Sequence, residues 1–334
     1  MAGDAQHILV VGPAWVGDMV MTQSLLLTLK QQYPQAVIDV LAPEWSLPIL
    51  QRMPQVRRGI CLPLRHKQLG LWTRWRIGRQ LCRANYAQAI ILPRSFKAAL
   101  LPFFARIPIR TGYRGESRYG VINDMRALDK TTLTQTVQRY VALALAKTAP
   151  LPPAIPFPRL TVDRQNQQRL LRALQLTTDK PIIGLVPGAE YGPAKQWPME
   201  HYRDLAVQLT AQGYRVWVFG SAKEQELGRA IAVNGDIVNL SGRTQLVDVI
   251  DLLACCQSVV SNDSGLMHIA AAVDTRVVVI YGSSTPDYTP PLTRKANIIY
   301  HRLACSPCFS RQCRYGHYDC LTSITCSEVM EHLC

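Results

Sequence analysis

Short runs of branched apolar residues recur along this chain. A loop rich in Gly, Pro or Ser follows most of them, and then a stretch with apolar residues at helical spacing. In the first 150 residues the apolar runs are His7–Gly12 (HILVVG), Ala36–Ala42 (AVIDVLA), Tyr86–Leu92 (YAQAIIL) and Ile107–Tyr113 (IPIRTGY). Their length and Val/Ile content predict buried strands. Met19, Leu25, Leu26 and Leu29 give Met19–Leu29 the apolar face of a helix, and Ala98–Ala105 predicts another, with Pro102 blurring its ends. The proline density of Thr148–Pro158 (TAPLPPAIPFP) excludes a helix and predicts a stiff extended linker. The rhythm then restarts with strands at Pro181–Pro187, Arg215–Gly220, Ile237–Leu240, Gln257–Val260 and Arg276–Tyr281, and helices at Met199–Gln212, near Glu224 and at Leu246–Cys256. Strand–helix alternation on both sides of a linker predicts two α/β domains built on parallel sheets: residues 1–150 and 161–334, joined by 151–160.

In such sheets the loops after the strands gather on one edge, where ligands bind. The stretch Val259–Val273 (VVSNDSGLMHIAAAV) reads as a strand, a tight turn and a helix opening with Ser264 and Gly265. Small residues at a helix N-terminus offer free N–H groups to a phosphate. Asp263 brings a carboxylate to the same place, suited to sugar hydroxyls, and His268 follows one turn later. As alternatives, Asp263 or Ser264 caps the helix and His268 is a satisfied surface residue. Asp18, at or beside the first helix start, is either a cap or a carboxylate at the mouth of the first strand. Gly12 and Gly17 do not fit the dinucleotide pattern G-x-G-x-x-G.

The 334 residues carry a net charge of +14, placed unevenly. Residues 1–150 hold 20 Lys and Arg against 7 Asp and Glu, a balance of +13, and the remainder holds 17 against 16. The basic half suits an acidic polymer, a membrane surface or an anionic substrate, unless it is simply well solvated. No nucleic-acid module is recognisable. Part of the excess lies in Arg57, Arg58, Arg65, His66, Lys67, Arg74, Arg76, Arg79 and Arg83, interleaved with Leu69, Leu71, Trp72, Trp75 and Ile77. That mixture fits an amphipathic helix on a lipid interface, or an ordinary surface helix with its aromatics packed inward. No apolar run approaches the ~20 residues of a spanning helix. The N-terminus enters the first strand without a signal-peptide pattern, so a cytosolic protein is expected. Six of the ten cysteines crowd the end: Cys305, Cys308, Cys313, Cys320, Cys326 and Cys334. The first four admit a four-thiolate metal site, disulfides or plain reduced thiols, and a cytosolic setting disfavours stable disulfides.

The second half carries PGAEYGPAKQWP, FGSAKE, LSGRT and NDSGLMHIAAA in order, and the first carries GPAWVGDMVMTQSL, LPRSFKAAL and RTGYRGESRYG. Together these resemble the heptosyltransferases of glycosyltransferase family 9, from His7 to about Pro291, leaving out the cysteine-rich end. The resemblance implies the GT-B glycosyltransferase fold: α/β, with two Rossmann-like domains facing across a cleft, the acceptor on the N-terminal domain and the donor on the C-terminal one. It implies an inverting transfer of heptose from ADP-heptose to heptosyl-Kdo2-lipid A, an anionic glycolipid at the cytoplasmic face of the inner membrane. On the donor side it assigns Lys195 and the backbone of Ser264, Gly265 and Leu266 to the diphosphate. It gives Asp263 to the heptose hydroxyls, Glu190 and Tyr191 to the phosphate loop, Glu224 and Thr244 to the nucleoside and His268 to the neighbourhood of the diphosphate. Asp18 matches the proposed general base. Arg94, Lys97, Arg110 and Arg114 are candidates for the acceptor's carboxylates and phosphates. A carboxylate that accepts the hydroxyl proton, with a lysine and a helix N-terminus at the leaving diphosphate, supplies what a single displacement needs. No acidic cluster is spaced for magnesium, so no cofactor or essential metal is expected. Other readings of the same fold are another nucleotide-sugar enzyme and a glycolipid-binding protein without catalysis.

Overall fold

The computed structural model of the chain describes residues 6–64 and 68–333. The chain divides at the end of the proline-rich segment, into Met1–Pro158 and Arg159–Cys334. Residues 148–158 contain neither helix nor strand.

The first unit holds β1 (His7–Val11), β2 (Val37–Ala42), β3 (Val56–Cys61), β4 (Gln88–Ile91), β5 (Ile109–Tyr113) and β6 (Asp124–Arg126). All pair in parallel, in the order β3-β2-β1-β4-β5-β6. The central strands are apolar almost throughout because helices cover both faces of a parallel sheet. Leu9, Val11, Ala89 and Ile91 pack against Ala98, Ala99 and Leu101 of the helix Phe96–Phe104. That helix continues through Pro102.

The second unit repeats the plan with β7 (Ile182–Val186), β8 (Arg215–Val218), β9 (Ile237–Asn239), β10 (Ser258–Asn262), β11 (Arg276–Tyr281) and β12 (Ala296–Tyr300). Its parallel order is β12-β11-β10-β7-β8-β9. Counted from its own first strand, each sheet runs 3-2-1-4-5-6, the doubly wound Rossmann order. The strand order reverses between β1 and β4 in one unit and between β7 and β10 in the other, and a crevice opens there at the carboxyl ends of the strands.

The basic stretch after β2 is not one helix. Arg57 and Arg58 lie in β3 and hold the fully buried Asp39, with Arg57 Nε at 2.8 Å and Arg58 Nε at 3.0 Å. Among the described residues of the stretch Leu71–Leu81 is an α-helix, continued by the 3-10 turn Cys82–Ala84, and the buried face of the helix carries Arg74, Gly78 and Leu81. Its aromatics do not pack inward: Trp72 is 69 % exposed and Trp75 40 %, stacked on one another with ring centres 4.7 Å apart. Arg65, His66 and Lys67 of that stretch, and Cys334, lie outside the described residues. Among the described residues no helix is long and apolar enough to cross a membrane.

Candidate active site

In the second unit the two loops at the β7/β10 reversal meet through one ion pair. Lys195 ends a short helical turn, Pro193–Lys195, after β7, and Asp263 follows β10 directly. Lys195 Nζ lies 2.5 Å from Asp263 Oδ2, and Ser284 Oγ, from the loop after β11, donates to the same oxygen at 2.6 Å. Both charged side chains are largely buried. Asn262 locks the loops in register: its Oδ1 accepts the Trp197 N–H at 2.9 Å and its Nδ2 donates to the Pro187 carbonyl at 2.7 Å.

The helix Gly265–Ala272 begins beside this pair. Ser264 occupies the cap position in extended conformation, yet its side chain makes no capping bond, and the capping alternative is not realised. The first N–H groups of the helix therefore have no partner within it. His268 is 4 % exposed, and its Nδ1 has no hydrogen-bond partner. Burial holds its pKa down to about 4, with Asp263 acting upward and Lys195 downward. The ring is neutral at physiological pH and adds no positive charge.

Tyr191 lies under the Lys195 ammonium, 5.0 Å from its ring centre. Glu190 turns away to an exposed pair with Lys223 at 2.8 Å. Glu224 and Thr244 lie farther along the same edge, after β8 and β9. Glu224 Oε2 accepts the Ser221 N–H at 2.6 Å. Its carboxylate occupies the space that a side chain at residue 188 would fill, so Gly188 admits it. Thr244 Oγ1, Ser241 Oγ and Ser283 Oγ are buried without hydrogen-bond partners. Native interiors rarely leave such atoms unpaired, and a polar ligand on this edge would satisfy them. All ten predicted donor-side residues thus lie around the switch point or farther along its edge, with the Glu190 side chain drawn to Lys223 in the turn after β8.

In the first unit Asp18 is the third residue of the helix Val16–Gln32, which starts after β1. Trp15 is the cap residue and makes no side-chain bond, so Asp18 belongs to the first turn and is not the cap. A carboxylate there is favoured by the helix dipole. Arg94, Lys97 and Arg114 follow β4 and β5 on the same edge. Arg110 does not join them: it lies near the start of β5, at the opposite end, and donates to the Val121 carbonyl at 2.6 Å and the Ile107 carbonyl at 2.5 Å. Arg118, within RTGYRGESRYG, is a further residue of this edge. It is fully buried and donates to the carbonyls of Pro93, Ser95 and Tyr113, tying the loops after β4 and β5 together. Burial pushes its pKa down to about 10, with Arg94 adding to the effect and Glu116 opposing it, so it stays charged. In the second unit Asn262, inside NDSGLMHIAAA, and Ser284, in the loop after β11, are further residues of the site. The cue for Asn262 is a polar residue at the end of the buried strand β10.

Among the described residues no group of three or more His, Cys, Asp or Glu is placed to hold a metal ion. Cys305, Cys308, Cys313, Cys320 and Cys326 form no disulfide with one another.

A doubly wound sheet in each unit, with a lysine, a carboxylate and a helix N-terminus at one switch point, is the architecture of the GT-B glycosyltransferases. The profile of glycosyltransferase family 9 (heptosyltransferase) matches residues 74–319, and the chain belongs to that family. It is 47 % identical to lipopolysaccharide heptosyltransferase 2 of Salmonella typhimurium, over 98 % of this chain and 97 % of that one. It is 50 % identical to lipooligosaccharide heptosyltransferase 2 of Haemophilus influenzae, over 88 % of each. The solved structure of E. coli ADP-heptose lps heptosyltransferase II superposes with a TM-score of 0.87 at 43 % identity, covering 98 % of this chain and 97 % of that one. The chain is a heptosyltransferase of lipopolysaccharide core biosynthesis.

Proposed function

We propose that this enzyme moves L-glycero-D-manno-heptose from ADP-heptose to the first heptose of heptosyl-Kdo2-lipid A, with inversion. The acceptor hydroxyl oxygen bonds to the anomeric carbon as the bond from that carbon to the diphosphate breaks. Asp18 accepts the hydroxyl proton, and ADP leaves with the bonding electrons. Lys195 and the N–H groups opening the helix Gly265–Ala272 stabilise the charge that develops on the diphosphate. Asp263 holds both the Lys195 ammonium and the heptose hydroxyls, and the edge beyond β8 and β9, with Glu224 and Thr244, takes the nucleoside. The observation that carries this reading is the Lys195–Asp263 pair, set at the strand reversal beside an uncapped helix N-terminus.

Arg94, Lys97 and Arg114 are assigned to the anionic groups of the acceptor. The outer face of the helix Leu71–Leu81, with Trp72 and Trp75 beside the exposed Arg76 and Arg79, is assigned to the inner-membrane surface that holds the acceptor. Asp18→Asn tests the chemistry. Transfer should fall at least ~100-fold while ADP binding stays unchanged. Turnover within a few-fold of wild type would remove Asp18 from its role.

A further inference from the structure

The cysteine-rich segment, whose first part falls within the family match to residues 74–319, packs on the donor site. Ser306 Oγ donates to the Gly282 carbonyl at 2.6 Å, and the Phe309 N–H to the Ser283 carbonyl at 2.7 Å. Ser283 adjoins Ser284, which holds Asp263. From the other side, Tyr191 Oη donates to the Phe309 carbonyl at 2.5 Å and the Ala194 N–H to the Arg311 carbonyl at 3.1 Å. Gly192 is needed for this contact. Its φ is +147°, and a Cβ there would lie 2.5 Å from the Arg311 carbonyl oxygen. The segment therefore fixes the loop that delivers Lys195.

It also brings a charge. The Arg311 guanidinium carbon lies 5.3 Å from the centre of the Tyr191 ring, the ring that Lys195 Nζ approaches at 5.0 Å. Two cations held to one ring are at most roughly 10 Å apart, about one Debye length at moderate ionic strength. Their circumstances differ. Lys195 is paired with Asp263, so the net charge of that pair is near zero. Arg311 is exposed and pairs with no carboxylate among the described residues. A nucleoside diphosphate brings two or more negative charges, and the helix N-terminus offsets roughly half of one. His268 is neutral and offsets none.

We infer that Arg311, carried by the cysteine-rich segment and poised over Tyr191, is a further binding residue for the diphosphate of the donor. The inference rests on the ADP-heptose reading of this unit. It makes the segment a wall of the donor site, with Tyr191 as the post on which both cations rest.

The test is calorimetric binding of ADP and AMP to the full chain at low and moderate salt. Arg311→Gln should weaken ADP about 10-fold, the scale of one charge-assisted phosphate contact, and AMP less than two-fold. It should also flatten the salt dependence of ADP binding, and Arg311→Lys should recover part of the loss. Arg314→Gln, on the same segment but hydrogen-bonded to Ser310, should bind ADP as wild type does. Unchanged ADP binding in Arg311→Gln would overturn the inference. So would equal losses for ADP and AMP without recovery in the lysine variant, because that pattern marks a purely structural role. A wild-type chain that binds neither nucleotide would instead overturn the donor reading itself.

Discussion

His268 shows how much one buried side chain can decide. Its helix is apolar all round, and the ring enters the core with one nitrogen unpaired. An unfolded histidine takes up a proton below about pH 6.5, whereas the folded one does so only near pH 4. The unfolded state thus binds more protons across that window, and stability falls as pH drops from about 6.5 to 4. The cost is up to roughly 3 kcal/mol. His268→Gln should remove most of this slope in urea unfolding measured between pH 7 and pH 4, and parallel profiles for the two proteins would contradict it. Asp39 is the opposite case. Burial pushes its pKa up, but hydrogen bonds from Arg57, Tyr86 and Arg58 outweigh that and hold it below the usual carboxylate range. Asp39→Ala leaves the Tyr86 hydroxyl, now a donor to Asp39, without its partner. A loss of roughly 2 kcal/mol in denaturant unfolding is expected, and a change below a few tenths would show that the cluster is immaterial.

At the scale of elements, the buried centre of each sheet was legible and the rim was not. β1, β2, β4, β7, β10 and β11 stand out because a parallel strand covered on both faces is apolar at nearly every position. Three of the four edge strands escaped. β3 reads VRRGIC, and its two arginines serve Asp39. β6 has three residues, too few for a pattern, and β12 follows a loop with no strong signal. The donor edge was legible for the same reason as the central strands: its residues follow recognisable runs at once. The cysteine-rich wall was not, because it joins the site through backbone carbonyls that any sequence possesses. Loop-to-loop bonding gives a prediction at this scale. A Cβ at Gly115 would lie 2.2 Å from the Arg94 carbonyl oxygen, forcing the loops after β4 and β5 apart. Gly115→Ala should raise KM for the acceptor several-fold and leave KM for ADP-heptose unchanged. An equal rise in both would mean that the damage is not local to these loops.

For the molecule as a whole, charge and shape answer different questions. Much of the basic excess of residues 1–150 is engaged within the fold. Arg74, Arg110 and Arg118 donate to backbone carbonyls, which orient the guanidinium groups without neutralising them, while Arg126 also pairs with Asp124 at 3.2 Å. The unit therefore keeps its field while offering fewer side chains for direct contact. Field and outward tryptophans together predict peripheral binding to vesicles containing phosphatidylglycerol, weakened by salt. Trp72→Ser with Trp75→Ser should reduce that binding several-fold, and salt-insensitive binding would contradict the electrostatic part. The central claim is the identity of the acceptor. It is tested most directly by incubating the enzyme with ADP-heptose and either heptosyl-Kdo2-lipid A or Kdo2-lipid A, then weighing the glycolipids by mass spectrometry. One added heptose on the first acceptor, with ADP released and no addition to the second, is the result predicted here. Addition to Kdo2-lipid A alone, or to neither, would contradict it.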